Sequence, residues 1–441
     1  MKNLILTLII LLFTSCQDTI ENRPLLTKSK KRQPIFIVNP NRHLNIAEFW
    51  ITQLDNPKKI IMTPKEIEKF NDKIAKDGLL NYFKDIKSFY NSSKLKTTLL
   101  KNFNSLKNKA KYLTDNSIIS NRFYNDLKEE LNLKELKGKR VKTRYALTVN
   151  YTNQRIIPTQ EVMIKKKNQI YFDRNQNSAL DIGTPIAILH STKDGRWHYG
   201  IAPTSSGWIR DRDIAFGEKK EILDYVTSKK FIVTTATKTP ILIKGIYHDY
   251  MRMGVRVPYI LSIDDMMMIP IPTRSSKGEL KFTNATVKKS NIHIGYLPYN
   301  QETILTQAFK FLHLPYGWGG MFGEQDCSKF IQEVFATTGL RLPRNSASQS
   351  NVGENRVDLN AFDKTPRIQE INRWAKAGIT IFHLKGHITL YIGDYQGEPY
   401  IIHTVWGSAS KHFALGRTAV TSLRFHDYIN KIDRVTNISS D

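Results

Sequence analysis

The period of the apolar residues changes near Gly138, and that change rules out one continuous fold for this chain. Before it, apolar residues recur at helical spacing. The stretch "TPKEIEKFNDKIAKDG" opens with Thr63 as N-cap, Pro64 at the first helical position and Glu66 where a capping box needs it. Ile67, Phe70 and Ile74 then share one face, and Gly78 ends the pattern. "NRFYNDLKEELNL" (121–133) is a second amphipathic helix candidate. After Gly138 the chain alternates apolar and polar residues between turns. "TPIAILHSTKDGRWHYGIAPTSSGWIRDRDI" has a hairpin signal at Lys193, Asp194 and Gly195 and a second turn at Ser205, Ser206 and Gly207. Short strands so closely spaced, with Trp197 and Trp208 after the turns, predict a small barrel. "KKFIVTTATKTPILIKGIYHDYMRMGVRVP" predicts a second.

A third pattern begins at Tyr299, where helices and strands are mixed. "QETILTQAFKFLHLP" puts Ile304, Ala308, Phe311 and Leu312 on one side of a helix. "CSKFIQEVFATTG" buries Phe330, Ile331, Val334 and Phe335 and stops at Gly339. In "AGITIFHLKGHITLYIGDYQGEPYIIHTVWG", Ile388, Leu390 and Ile392 alternate with His387, Thr389 and Tyr391. "DYQGEP" turns the chain, and "YIIHTV" returns as the paired strand. Helices on an antiparallel sheet make this an α+β block.

The first residues fix the expected compartment. "MKNLILTLIILLFTSC" sets Lys2 before an apolar run from Leu4 to Phe13, too short to span a bilayer but suited to a signal peptide. Its "FTSC" ending resembles the lipobox of bacterial lipoproteins, which implies a lipidated Cys16 as the mature N-terminus. The expected location is therefore the cell envelope or periplasm, exported and lipid-anchored to a bacterial membrane.

The formal net charge is +26. Either the base composition of the gene or an anionic partner accounts for it. Nucleic acid is not the expected partner. The Lys and Arg residues are scattered rather than gathered on one element with aromatic platforms, and export removes the chain from nucleic acid.

The chain has two cysteines. If Cys16 is acylated, Cys327 has no disulfide partner within the chain. Cys327 begins a helix after the glycine-rich run "YGWGGMFGEQD", beside Asp326 and Ser328. Helix N–H groups and the helix dipole favour a thiolate there, so a lowered thiol pKa is expected. A packed, inert cysteine is the other reading. A nucleophile needs a base, and His387 and His403 on neighbouring strands would bring two imidazoles to one face. "HLKGH" spaces His383 and His387 as in zinc peptidases. The strand-like flanks, Gly386, and Leu384 in place of a Glu argue against a metal, so neither metal nor cofactor is expected.

Taken together, "YGWGG…DCSKF", "GHITLYIG" and "YIIHTVWG" resemble the NlpC family of cell-wall cysteine peptidases. "DNPKKIIMTPKEIEKFN", "RIIPT" and "FDRNQNSALDIGTPIAILHSTKDGRWHYG" resemble the branch with an N-terminal helical segment and two bacterial SH3-like barrels. The resemblance implies a multidomain fold class: an N-terminal helical segment, two small all-β SH3-like barrels and a C-terminal α+β papain-like cysteine peptidase domain. The expected layout is a signal peptide over 1–16, a tether over 17–42, helices over 43–137, barrels over 138–217 and 218–298, and the peptidase over 299–441.

The resemblance further implies a monomer that cuts peptidoglycan stem peptides between γ-linked D-glutamate and a diamino acid. Cys327 would be the nucleophile, His387 the base and His403 the orienting residue. Tyr316 and the Cys327 N–H would stabilise the oxyanion. Trp318, Asp326, Ser328, Arg344 and Asn345 would bind substrate, with Asp326 and Ser328 meeting the amino group of an N-terminal L-alanine. Asn345 stands where members that recognise a free L-alanine carry Asp, which weakens recognition of an ammonium group. A non-catalytic wall-binding scaffold, and a murein amidase or acyl transferase on the same fold, are the alternatives.

Overall fold

The computed structural model describes residues 41–361, 364–407, 415–424 and 427–440. The apolar leader, Cys16 and nearly all of the tether (1–40) lie outside the described residues.

The helix Pro64–Lys76 starts as its sequence predicts. The Thr63 N–H donates to Glu66 Oε2 at 2.7 Å, and the Glu66 N–H donates back to Thr63 Oγ1 at 3.4 Å. Such a cap is worth about 1 kcal/mol. Ile67, Phe70 and Ile74 are buried, and their cluster also holds Phe330, Ile331, Val334 and Phe335 from the far end of the chain. The Asn71 side chain fixes that contact. It donates to the Gly339 carbonyl at 2.9 Å and accepts from the Arg341 N–H at 2.8 Å. Helices Ser92–Lys109 and Asn121–Glu130 pack elsewhere: Leu95, Leu99, Phe103 and Tyr124 share a core with Tyr199 and Trp208. Phe83 and Ile86 enter a third core, so the helical segment, continuous in sequence, divides its apolar residues among three.

The first β block is a seven-stranded antiparallel sheet. Its order is Gln176–Leu180, Thr152–Arg155, Ser206–Arg210, Trp197–Ile201, Pro185–Ser191, Arg144–Thr148, Ile214–Phe216. The hairpin at Lys193–Gly195 pairs Ser191 with His198, and Gly195 takes the left-handed conformation its turn requires (φ 71°). Trp208 is fully buried, and Trp197 is half-buried.

In the second block a five-stranded sheet runs in the order Ile246–Arg252, Lys238–Ile243, Leu280–Lys288, Met266–Arg274, Leu261–Ile263. A three-stranded sheet sets Phe231–Thr234 between Arg256–Pro258 and Ile292–Ile294. Ile232, Ile241, Met251, Ile269 and Val287 fill the space between the sheets. The segment after Ile246–Arg252 leaves this block, and Met253 joins the core around Phe330 and Val334.

The last block carries a six-stranded antiparallel sheet: Arg356–Asp358, Ile432–Asn437, Thr380–Leu384, His387–Tyr395, Glu398–Val405, Arg417–Ser422. Helices Gln301–Phe309 and Cys327–Ala336 pack on it, and Ile388, Leu390, Ile392 and Ile402 are buried against them. Leu390 pairs with Ile402. Continuing that register sets His403 opposite Thr389, diagonal to His387 on the same face.

Candidate active site

The loop before Cys327 departs from regular structure throughout. Gly319 (φ 61°), Gly320 (φ 88°), Phe322 (φ 60°) and Gly323 (φ 69°) are all left-handed. Two of the glycines are also needed for space. A Cβ on Gly319 would come within 2.7 Å of the Gln176 side chain, and one on Gly320 within 2.6 Å of Ala179 Cβ. The loop is therefore pressed against the edge strand of the first β block. The Gln176 amide donates to the Gly319 carbonyl at 3.1 Å, and the Tyr151 hydroxyl donates to the Gly320 carbonyl at 2.9 Å.

Asp326 caps the helix Cys327–Ala336 by accepting from the Lys329 N–H at 2.9 Å. It also accepts from the Gly319 N–H at 3.0 Å and the Ser328 hydroxyl at 3.1 Å. Arg344 grips both its oxygens, at 3.1 and 2.7 Å. Burial pushes the Asp326 carboxyl up, but Arg344 and these hydrogen bonds outweigh it and hold it below the usual carboxylate range. The rest of Arg344 is also engaged. Its Nε donates to Ser178 Oγ of the first β block at 3.0 Å, and Nη1 donates to Ser328 Oγ at 3.0 Å. Asn345 caps the short helix Ser346–Gln349, accepting from the Ser348 N–H at 2.8 Å. Asp326 and Ser328, which the sequence assigns to an ammonium group, are thus tied to an arginine.

Cys327 is the first residue of its helix and is only 8% exposed. Depth corrects the expectation of a lowered thiol pKa. Burial, and then the charge of Asp326, push the thiol up to about 12. The Ile388 N–H, Arg344 and the Ser328 N–H pull the other way without prevailing.

The Ile388 N–H acts on the Cys327 sulfur, so the strand that carries the adjacent His387 passes close to Cys327. His387 Nε2 lies 2.8 Å from His403 Nδ1, and His403 Nε2 lies 3.1 Å from Thr421 Oγ1. His403 is fully buried, while His387 is half-buried. Tyr428 packs against both imidazoles, each ring centroid 5.7 Å from its own. Burial and then the Cys327 charge raise the Tyr428 hydroxyl pKa. Burial likewise raises that of Tyr316, with the charges of Cys327 and Asp326 adding to it. Both phenols therefore stay protonated donors beside the sulfur. The other histidine of "HLKGH", His383, bonds Asp433 at 2.6 Å.

Aromatic rings form the remaining wall. Phe172 of the first β block lies 5.4 Å from Trp318 and 5.2 Å from Trp406, and Tyr171 lies 4.8 Å from Trp406. The structure brings together Cys327, Asp326, Ser328, Arg344, His387, His403 and Tyr316, with Trp318 on the adjoining wall. Asn345 serves as a helix cap. Cys16 lies outside the described residues. Tyr428 and Thr421 are additions that no motif marks, while Trp406, Phe172 and Ser178 lie inside quoted motifs without having been assigned to the site. The signals were the quoted "YIIHTVWG", which contains Trp406, and "FDRNQNSALDIG", which contains Phe172 and Ser178.

Residues 313–409 match the NlpC/P60 family, and residues 164–210 match the SH3 domain (SH3b1 type). A γ-D-glutamyl-L-lysine dipeptidyl-peptidase of Bacillus cereus is 26% identical over 191 residues, which is 43% of this chain and 54% of that protein. The bifunctional muramidase/DL-endopeptidase CwlT of Bacillus subtilis is 31% identical over 102 residues, 22% of this chain and 27% of that one. The chain thus spans about half the length of the first relative and less of the second. Among solved structures, an NlpC/P60 endopeptidase from Photobacterium damselae subsp. piscicida superposes with a TM-score of 0.74 at 18% identity. The match covers 89% of this chain and 97% of that one, a likeness of fold.

Proposed function

We propose that this chain, which carries an NlpC/P60 family domain at residues 313–409 and an SH3b-type domain at 164–210, is a cysteine endopeptidase of peptidoglycan stem peptides. Its cleavage point is the bond between γ-linked D-glutamate and a diamino acid. The observation that carries this reading is the imidazole pair, 2.8 Å apart, beside a sulfur that receives the Ile388 N–H. The relatives named for γ-D-glutamyl-L-lysine and DL-endopeptidase activity support the choice of bond.

In this reading Cys327 rests as a thiol. His387 Nε2–H donates to His403 Nδ1, and His403 Nε2–H donates to Thr421, an order that leaves His387 Nδ1 basic. As the scissile carbonyl arrives, Nδ1 takes the thiol proton and sulfur attacks. The Tyr316 hydroxyl and the Cys327 N–H stabilise the tetrahedral oxyanion. The imidazolium gives its proton to the leaving amine, and water then hydrolyses the acyl-enzyme.

Purified protein digesting peptidoglycan, with mass analysis of the fragments, tests the reaction. Cleaved stem peptides that disappear with Cys327→Ala are expected. Intact stems with both proteins would leave the scaffold reading, and loss of a sugar-linked amide would make the enzyme an amidase. The enzyme acts as a monomer, held at a membrane through an acylated Cys16. Metabolic labelling with a fatty-acid probe should mark the wild type but not Cys16→Ser.

A further inference from the structure

Residues 172 to 178 run along the catalytic wall, and three of their side chains meet it. Phe172 meets Trp318 and Trp406, Gln176 meets the Gly319 carbonyl, and Ser178 meets Arg344. Asp173 turns away from it, fully buried and paired with Arg155 at 2.6 Å. Arg174 is the member whose polar head is not accounted for. Its guanidinium lies over the Trp318 ring, 5.2 Å from the centroid, and its charge acts on the Tyr316 hydroxyl beside Cys327.

Two donors go unused in that pair. Among the described residues, neither Arg174 Nε nor Trp318 Nε1 has a hydrogen-bond partner, although both atoms are buried. No carboxylate pairs with Arg174 there either, and the sequence from Trp406 to Arg424 contains no Asp or Glu. Buried donors without acceptors are costly and call for a partner. The charge balance of the wall gives the sign of that partner. Arg344 is neutralised by Asp326, and position 345 is an amide, so Arg174 is a charge left without a counter-ion among the described residues.

We propose that Arg174 is a substrate-binding residue that pairs with a carboxylate of the peptide held at Cys327. The proposal rests on the reading of the site as a peptidase of anionic stem peptides, and it makes the first β block part of the specificity pocket. A guanidinium set on an indole face presents a rigid fork to a carboxylate and disfavours an ammonium group at the same place. Specificity here thus depends on a negative charge in the substrate.

The test uses the full chain and synthetic γ-D-glutamyl–diamino acid tripeptides, one with all carboxylates free and others amidated at one carboxylate each. In the wild type, one particular amidation should lower kcat/KM by about 10–100-fold. In Arg174→Gln that ratio should fall close to one, and Arg174→Lys should keep part of it, which separates charge recognition from misfolding. Calorimetric binding of the same peptides to Cys327→Ala, with and without Arg174→Gln, reads the contact without turnover. Equal losses for every peptide in Arg174→Gln, in cleavage and in binding, overturn the proposal while leaving the peptidase reading intact. Carboxylate-dependent binding without any cleavage sustains the proposal and overturns the peptidase reading. Absence of both overturns both.

Discussion

The two β blocks hold the same loop by different means. The first reaches its backbone with neutral groups, the Tyr151 hydroxyl and the Gln176 amide, and sets Phe172 and Arg174 against the Trp318 ring. The second reaches it with charge. Arg252 donates to the Gly323 carbonyl and to Gln325, and it forks onto Glu333 of the Cys327 helix at 2.7 and 2.8 Å. Lys238 pairs with Glu324 at 2.6 Å. Arg252 and Glu333 are 1% and 3% exposed, where an ion persists only if its hydrogen bonds are complete. The first block lies along the aromatic wall of Phe172, Trp318 and Trp406. One block therefore shapes what enters, and the other fixes where the sulfur sits.

The sharpest way to break this contrast is Arg252→Met. It strands Glu333 in the interior and should cost about 3–5 kcal/mol of stability in urea unfolding. Adding Glu333→Leu should restore part of the loss, because it removes the stranded carboxylate while the Gly323 carbonyl and Gln325 stay without their donor. A neutral single variant would show that the second block is not a clamp.

Arg344→Met applies the same test on the cleft side. Asp326 loses its main partner, and about 2–3 kcal/mol should go at pH 7. The wild-type carboxyl is held below its ordinary value, so its stabilisation is present at neutral pH and disappears as pH falls through the folded pKa. The gap between wild type and variant should therefore narrow in acid.

Cys327 titrates in the opposite direction. Its folded pKa is raised from 9.0 to about 12, so its contribution is complete below 9 and is lost as pH climbs toward 12. Relative to Cys327→Ser, the wild type should lose about 1 kcal/mol per pH unit across that window. Parallel stability curves would contradict the depth assigned to the sulfur. The smallest effect is expected for Tyr151→Phe, which removes one neutral hydrogen bond, about 1 kcal/mol. Steady-state kinetics on that variant should show KM changing more than kcat, since the contact lies on the wall and not at the sulfur.

What could be read from sequence divides along a similar line. Local rules were sufficient for the capping box of Thr63 and Glu66, the hairpin at Gly195 and the histidine pair. Each depends on spacing within one element or across one turn. Arg252, Arg344 and Tyr428 were beyond such rules. Arg252 finds Glu333 81 residues away, and Arg344 finds Ser178 across 166. Tyr428 reaches the imidazoles only after a left-handed turn at Asp427 (φ 56°), which no glycine announces. The thiol shows the limit most clearly. Its helix start was legible, but its depth was not, and depth decided the sign of the shift. Amphipathic spacing likewise revealed that the early helices bury one face without revealing which core receives it.

The bond between Asn71 and Gly339 has a consequence in time. The two residues are 268 apart in sequence, and the helix Pro64–Lys76 has its apolar face against the Phe330–Phe335 side of the site. Synthesis begins at the other end, so that helix emerges long before the surface it covers. Contacts of such high sequence separation form late and slowly. We expect a chain truncated before residue 339 to be cut readily by added protease, whereas the complete chain resists. A site built this way is complete only once the chain through residue 339 has been made, so its latency comes from chain order.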